Sequence, residues 1–331
     1  MPCRGQRQVL LEITSEPEIV LQPDEKIGWM SKSVAFQKSI EDKLFFCGES
    51  SSGQWRIAVA DLNKGVSTEP RLVEIRSERK FTESITPNAV RTPDGLMMAF
   101  AGRRAANESR RIFIATAEAL DGPWKVEGRP YVPREAWEGR NIDLGPGNMV
   151  ENGAVLFFYS SAYPRFRQVA LTFLRKPHLP SRQNLMRYEK RRIGILRVNT
   201  KEPHDLGGGR EPLPLNCIRG TPCESVFCPG YADVNKVHLL FTACSNYSKG
   251  YPFEQSIGVV ESASSPSTWS ENQSIRTIVG SGDLPPPFSS HPAFDTPDPV
   301  PLGNDTLTLY FSAMPRDLQR WSIMACELKV S

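Results

Sequence analysis

The chain has 331 residues, 39% of them hydrophobic, and a formal net charge of +3. So small an excess of basic residues does not predict nucleic-acid binding. No stretch is long and apolar enough to cross a bilayer, so no membrane partner is expected. The acidic residues Glu12, Glu16 and Glu18 closely follow the basic N-terminal residues, which is not the pattern of a signal peptide. We therefore expect a cytoplasmic protein.

A pattern of three short strands recurs five times along the chain. An apolar strand comes first, then a strand of aromatic and aliphatic residues, then a strand rich in Ile and Val. The clearest copy covers residues 224–227, 237–243 and 256–262. Strand repeats of this length predict a propeller, in which each repeat forms one small sheet around a common axis. The expected fold is therefore all-β, a five-bladed β-propeller with an axial pocket, formed by residues 1–331 as a single domain.

In chain order, the expected elements begin with a lead-in before residue 26 that closes the ring by adding a strand to the last blade. The five blades are expected near residues 26–62, 84–124, 142–200, 222–269 and 288–328. Asp94-Gly95 and Asn152-Gly153 fall between first and second strands and predict tight hairpin turns, because these residues tolerate positive φ. Trp124 and Trp269 follow third strands, and we expect them to begin outer strands that pack against a neighbouring blade.

One segment, residues 163–192, interrupts this rhythm and is rich in Arg and Lys. Insertions of this size in a compact fold are often lids or binding loops. An ordinary solvated basic surface is the alternative, and the sequence favours neither.

Arranged in this way, the repeats resemble the five-bladed propellers of the arabinanase, β-xylosidase and invertase-like glycosidases. The strongest match is blade 4, where an inner strand opens with Glu224, a second strand ends in Thr-Ala, and the phrase Ile-Gly-Val-Val-Glu-Ser leads to Trp269. The resemblance implies that Glu224 is a general acid and that His291 lies near the axis. His291 is a further catalytic candidate there, as a ligand or proton carrier, and a loop histidine bonded to backbone is the alternative. In such sites one carboxylic acid protonates the departing glycosidic oxygen, and a second carboxylate activates water or attacks the anomeric carbon.

The chain departs from this family pattern in three blades. In blade 1 the stretch that should offer an Asp, residues 29–33, has none. In blade 2 the matching position is Asn88, whose amide can hydrogen-bond a hydroxyl but cannot act as a base. In blade 3 Asp143 is the candidate for the second carboxylate, although two residues separate it from Pro146. A role limited to holding a turn is the alternative for Asp143.

Further candidates come from position and residue type. Lys32 is expected at a pocket position, and Arg103 and Arg104 could hold a carboxylate, a phosphate or an enolate oxygen. Tyr163 and Tyr247 come after second strands, where aromatic rings would stack on a ligand. Surface exposure or ordinary loop packing is the alternative for each of these residues.

A structural cation on the axis is the one metal role that the sequence suggests. His291, Asp295 and Asp298 could supply its ligands, but their spacing matches no established metal motif. No other metal and no cofactor is expected.

Three functions are compatible with these features. The first is a glycoside hydrolase-like enzyme that acts on a small glycoside in the axial pocket, with Glu224 and Asp143 as its carboxylates. The second is a non-hydrolytic enzyme of secondary metabolism, such as a cyclase, isomerase or pericyclase, because cyclisation needs no water-activating carboxylate. The third is a propeller that binds a carbohydrate or a partner without catalysis.

Overall fold

The computed structural model describes residues 11–63, 66–139, 142–164, 189–208, 211–249 and 253–331. Within these ranges 22 β-strands form five sheets, and the helical elements are short 3₁₀ turns. In the same ranges, no helix has both the length and the hydropathy that a membrane span requires. The predicted all-β fold, a five-bladed propeller, is confirmed.

The strands of each blade follow one another in sequence. The N-terminal strands are β1 (Leu11–Ile13) and β2 (Glu18–Leu21). Blade 1 consists of β3 (Ser33–Ile40), β4 (Lys43–Glu49), β5 (Trp55–Asn63) and β6 (Val66–Leu72). Blade 2 consists of β7 (Ile75–Arg76), β8 (Glu83–Thr92), β9 (Gly95–Arg103), β10 (Arg111–Ala117) and β11 (Trp124–Tyr131).

The remaining blades repeat this plan. Blade 3 consists of β12 (Ile142–Glu151), β13 (Ala154–Pro164), β14 (Glu189–Asn199) and β15 (Leu206–Gly208). Blade 4 consists of β16 (Ser225–Val234), β17 (Val237–Ser245), β18 (Gln255–Ser262) and β19 (Arg276–Val279). Blade 5 contains β20 (Ala293–Pro301), β21 (Thr306–Met314) and β22 (Ser322–Val330). The 3₁₀ turns are Gly28–Met30, Tyr247–Lys249, Pro266–Thr268 and Ser281–Asp283.

The two N-terminal strands close the ring, as predicted. Both β1 and β2 pair antiparallel with β22, with Leu11 opposite Val330 and Ile19 opposite Met324. The innermost strands β3, β8, β12, β16 and β20 lie side by side around the axis, and β20 contacts β3 again. The last blade therefore depends on strands from both ends of the described chain.

The hairpin predictions and one of the two Trp predictions are confirmed. Gly95, at φ +133°, is the first residue of β9 after the turn from β8, and Asn152 and Gly153 lie at φ +49° and +70° between β12 and β13. Trp124 begins β11, and its buried ring meets Phe45 of blade 1 edge-on at a centroid distance of 5.9 Å. The tightly packed ring joins blade 2 to blade 1.

For Trp269 only the predicted packing is confirmed: the side chain packs against the hydrophobic cluster shared by blades 3 and 4, but it does not begin an outer strand. Its indole lies beyond the Pro266–Thr268 turn and donates from Nε1 to the hydroxyl of Ser262 (3.1 Å) and the carbonyl of Ser264 (2.9 Å). The outer strand of blade 4 begins only at Arg276. The outer strands of blades 1 to 4 all extend past the predicted blade ends, because these short half-exposed strands lack the apolar pattern that marks inner strands.

Every innermost strand carries a β-bulge at the same point. The register shifts between Ala35 and Lys38, Ile85 and Asn88, Leu144 and Asn148, Phe227 and Gly230, and Asp295 and Asp298. In four blades the residue that opens the bulge has positive φ; these residues are Phe36, Thr86, Cys228 and Thr296. A proline follows in blades 2 to 5, and blade 1 has Gln37 instead. The bulge divides each innermost strand into a first part, near the opening of the ring where these strands begin, and a second part beyond it.

Asp298 joins blade 5 to blade 1 beyond the bulge. Its fully buried carboxylate accepts hydrogen bonds from Lys38 Nζ (2.9 Å) and from the backbone N–H and hydroxyl of Ser39 (2.6 Å each). Removing one partner of a buried ion pair leaves the other charge without compensation. We therefore expect Asp298→Ala to lower the free energy of unfolding by about 3–5 kcal/mol in urea denaturation.

The matched control for this prediction is Asp317→Ala. Asp317 is exposed in the turn between β21 and β22, so its loss should change stability by less than about 0.5 kcal/mol. Equal losses for the two variants would show that the contact between blades 5 and 1 does not depend on Asp298.

Candidate active site

Charged side chains from three blades meet where the innermost strands begin. Glu83 is the first residue of β8, Asp143 the second of β12 and Asp295 the third of β20. Arg110, just before β10, binds two of them: its Nη2 lies 2.6 Å from Glu83 Oε1 and its Nη1 lies 3.2 Å from Asp143 Oδ1. We call Glu83, Arg110, Asp143 and Asp295 the axial cluster. All three of its carboxylates precede the bulge of their strand.

Glu83 is the most buried of the three ion-paired residues in the axial cluster. Only 5% of its side chain is exposed, compared with 21% for Asp143 and 31% for Arg110. Its second carboxylate oxygen contacts Arg103 Nε, and Arg103 also donates from Nη1 to the carbonyl of Ala106 (3.1 Å). Arg103, a predicted site residue, therefore adjoins the axial cluster through Glu83. Burial disfavours the charge of Arg110, but Asp143 and Glu83 more than offset this and raise its pKa. The guanidinium thus remains a fixed cation between two carboxylates.

Asp295 has an unusual environment. Its side chain is partly accessible, yet protein atoms surround the carboxylate, and this burial raises its pKa to about 6. The Cys228 thiol and the charge of Arg191 act in the opposite direction, while the charge of Asp143 adds to the rise. Asp295 therefore holds a proton in mildly acidic solution, beside a carboxylate that is ion-paired with Arg110.

A second arginine stands beside Asp295. The guanidinium of Arg191 lies 5.0 Å from the ring centroid of Phe227 and 5.9 Å from that of Tyr247. Tyr247, a predicted ligand-stacking residue, is 1% exposed and meets Phe253 edge-on at 4.8 Å. Its ring therefore packs against Arg191 and Phe253 and is not available to stack on a ligand. Cation–π contacts of this kind fix the position of a guanidinium.

Glu224 does not occupy the position in blade 4 that Asp295 occupies in blade 5. It precedes β16, and its carboxylate accepts a hydrogen bond from the backbone N–H of Gly220 (3.0 Å) in the same turn. Counted from the residue that opens the bulge, Glu224 is four residues earlier, whereas Asp143 is two and Asp295 one. The residue of blade 4 that matches Asp295 is Phe227.

The structure places Asn88 beyond the bulge. Its side chain is buried and donates from Nδ2 to the carbonyls of Gly145 (2.7 Å) and Gly147 (2.9 Å), so it joins blades 2 and 3. His291 is exposed in the loop before β20, with φ +46°. Lys32 is half exposed, and its Nζ pairs with Glu49 Oε1 at 2.8 Å.

The other predicted residues lie elsewhere or outside the described residues. Arg104 packs over the rings of Phe113 (5.3 Å) and Phe81 (5.6 Å), which are part of the hydrophobic cluster shared by blades 1 and 2. Tyr163 belongs to β13, but its side chain lies outside the described residues, as do residues 165–188 of the predicted basic insertion. Among the described side chains, no group of three or more His, Cys, Asp or Glu could hold a metal ion.

The sequence contains a signal that could have located Asp295. Asp295 precedes Thr296-Pro297, just as Ile85 precedes Thr86-Pro87 and Phe227 precedes Cys228-Pro229. Aligning the repeats on these prolines would have identified Asp295 as the only carboxylate directly before a bulge. Glu83 and Arg110 carry no such local signal, because their contacts join different strands and blades.

No protein-family model matches the chain, and no curated protein matches it. Its fold is similar to solved glycoside hydrolases. A thermostable family-43 glycoside hydrolase matches with 12% identity and a TM-score of 0.55, covering 91% of this chain and 93% of that chain. An exo-1,5-α-L-arabinanase from a bovine ruminal metagenomic library matches with 11% identity and a TM-score of 0.54, covering 88% and 90%. The catalytic domain of a Coprinopsis cinerea GH62 α-L-arabinofuranosidase matches with 8% identity and a TM-score of 0.55, covering 95% of each chain.

These likenesses confirm the resemblance to five-bladed glycosidase propellers. At such low identities they show the fold alone, and a shared fold does not carry a shared reaction. The reaction of this protein therefore depends on the residues of its axial cluster.

Proposed function

We propose that this protein is a glycoside hydrolase in which Asp295 is the general acid and Asp143 the second carboxylate. The observation that carries the proposal is the pair of neighbouring carboxylates on β12 and β20, of which Asp295 has a pKa raised to about 6. Two carboxyl groups whose environments separate their protonation are what an acid–base pair requires. The glycosidase-like fold supports the same conclusion.

The proposed reaction consumes one water molecule. Asp295 gives its proton to the glycosidic oxygen while the bond from the anomeric carbon to that oxygen breaks, and the electron pair stays on the oxygen. The oxygen of water bonds to the anomeric carbon, and Asp143 takes the proton that water releases. Arg110 pairs with both Glu83 and Asp143 and so holds Asp143 in place. Asp143 then releases its proton to solvent and Asp295 takes one up from solvent, so that both carboxyl groups return to their starting states.

The proposal predicts how activity depends on pH. Because only protonated Asp295 can act as an acid, kcat/KM should fall about tenfold per pH unit once the pH exceeds about 6. The measurement is the release of 4-methylumbelliferone from its α-L-arabinofuranoside and β-D-xyloside between pH 4 and 9. These sugars are chosen because similar folds include arabinose-releasing enzymes. Rates that rise through pH 6 would argue against Asp295 as the acid, and no turnover of any glycoside would end the proposal.

A non-hydrolytic enzyme, such as a cyclase or isomerase, is the second candidate. It is favoured by one observation: strand β3 of blade 1, Ser33–Ile40, carries no carboxylate and has Phe36 at its bulge. A cyclase would use Asp295 as a proton donor and Arg110 or Arg191 to stabilise negative charge. It would convert its substrate without incorporating oxygen from ¹⁸O-labelled water, whereas the hydrolase would place that label in the sugar product.

A small molecule is the proposed ligand in either case. The expectations of no nucleic-acid partner, no membrane partner and a cytoplasmic location remain predictions from the sequence.

A further inference from the structure

Three aromatic rings from blades 1 and 5 form a partly exposed group at the same end of the ring as the axial cluster. Phe36 lies 5.2 Å from Trp55 and 6.5 Å from Trp321, measured between ring centroids, with interplanar angles of 53° and 39°. All three side chains are only partly buried. Trp55 begins β5, and Trp321 directly precedes β22. We call these three rings the aromatic platform.

The backbone of Phe36 links the aromatic platform to the strand pair that carries Asp295. Phe36 opens the bulge of β3 at φ +59°, a backbone conformation that is rare for a bulky side chain. Its backbone N–H donates to the hydroxyl of Ser312 (3.0 Å), and Ser312 is the residue of β21 paired with Asp295 of β20. One hydrogen bond and one strand pairing therefore connect Phe36 to the proposed acid.

The polar side chains that border the platform are engaged within the protein. The hydroxyl of Ser33 accepts a hydrogen bond from the backbone N–H of Trp321 (3.4 Å). The hydroxyl of Ser312 donates to Gln37 Oε1 (2.7 Å), and Gln37 Nε2 donates to the carbonyl of Thr296. A sugar ring needs partners for several hydroxyl groups, and a site that leaves them unpaired binds it poorly. A flat apolar ring, in contrast, needs only ring faces and edges.

We propose that the aromatic platform binds a planar aromatic leaving group, so that the substrates are aryl glycosides. This inference rests on the proposed function, because the general acid protonates the oxygen that joins the sugar to its leaving group. A planar leaving group held against Phe36 or Trp321 would lie near the strand pair of Asp295 and Ser312, so that Asp295 could protonate the glycosidic oxygen. The sugar then lies towards Asp143 and Arg110.

The experiment measures binding of the leaving group alone. Isothermal titration calorimetry gives the Kd of 4-nitrophenol and the Kd of methyl β-D-xylopyranoside, which is the sugar probe. We expect 4-nitrophenol to bind the unmodified protein, and Trp321→Ala and Trp55→Ala each to raise its Kd by about 5- to 20-fold. The matched control is Trp269→Ala, which removes an indole from blade 4 and should leave the Kd unchanged. Circular dichroism identifies any variant that does not fold. If either Trp55→Ala or Trp321→Ala does not fold, the Kd of the other is compared with that of Trp269→Ala.

The outcomes separate this inference from the proposed function. Binding of 4-nitrophenol that depends on Trp55 and Trp321, without hydrolysis of any 4-nitrophenyl glycoside, would retain the platform and reject the hydrolase. Binding of the methyl xyloside with that same dependence, and no binding of 4-nitrophenol, would overturn the assignment to an aromatic leaving group. Binding of neither probe, or an equal effect of Trp269→Ala, would also overturn it.

Discussion

Asp295→Asn should lower kcat/KM for a 4-methylumbelliferyl glycoside by about 10³-fold. An Asn side chain has nearly the same shape but cannot give up a proton to the leaving oxygen, and general acid catalysis contributes about 10²–10⁴-fold. The loss should be much smaller for a 2,4-dinitrophenyl glycoside, because that leaving group departs without protonation. The variant should also lose the fall in rate above pH 6, since this fall reflects the titration of Asp295.

The matched control for Asp295→Asn is Glu224→Gln, which tests the assignment that the sequence pattern favours. The Glu224 carboxylate accepts from the backbone N–H of Gly220, and a Gln oxygen can accept the same hydrogen bond. We expect less than a threefold change in kcat/KM. If Glu224→Gln lowered kcat/KM as much as Asp295→Asn does, Glu224 would be the general acid. The assignment of that role to Asp295 from its position directly before the bulge would then be wrong.

The second large effect is expected from Asp143→Asn. Asp143 accepts the proton from water in the proposed reaction, so replacing it with an amide should lower kcat/KM by about 10²–10⁴-fold. The same substitution removes a negative charge that raises the pKa of Asp295. The residual activity should therefore begin to fall at a lower pH than in the unmodified protein. Steady-state rates from pH 4 to 9 measure both effects.

Asp233→Asn is the control for Asp143→Asn. Asp233 is also an aspartate on an innermost strand, but it lies beyond the bulge of β16 with an exposed side chain. Its replacement should leave both the rate and the pH profile unchanged. If Asp143→Asn kept full activity, the two-carboxylate mechanism would be wrong, and the non-hydrolytic alternative would become the better explanation.

The sequence predicted the fold well because propeller blades are encoded locally. Each repeat has its own apolar strands and its own turn residues, such as Asn152-Gly153. A ring of blades must also be closed, and here the N-terminal strands close it by pairing with β22 of the last blade. Of the short outer strands only the one at Trp124 is predicted correctly, because these strands are half exposed and carry weak patterns. Trp269 shows the same limitation: it matches the position of Trp124 in its repeat, yet it lies in a turn held by Ser262 and Ser264.

The candidate site was predicted less completely, for a geometric reason. A residue's position around the axis depends on its offset from the bulge, and a shift of one residue turns a side chain to the other face of the strand. Asn88 follows a proline and resembles a pocket residue, but this offset puts it among the carbonyls of Gly145 and Gly147. Glu83 and Arg110 are distant in sequence from Asp143, and only the packing of blade 2 against blade 3 brings them together.

Burial, with a contribution from the charge of Asp143, keeps Asp295 protonated to about pH 6. The most direct test is an NMR titration of the side-chain carboxyl carbons of ¹³C-labelled aspartate, with Asp295→Asn to assign the resonance. We predict a midpoint near pH 6 for Asp295 in the unmodified protein, and a lower midpoint in Asp143→Asn, where the neighbouring charge is absent. A midpoint near the ordinary aspartate value of about 4, or one that Asp143→Asn leaves unchanged, would contradict the account.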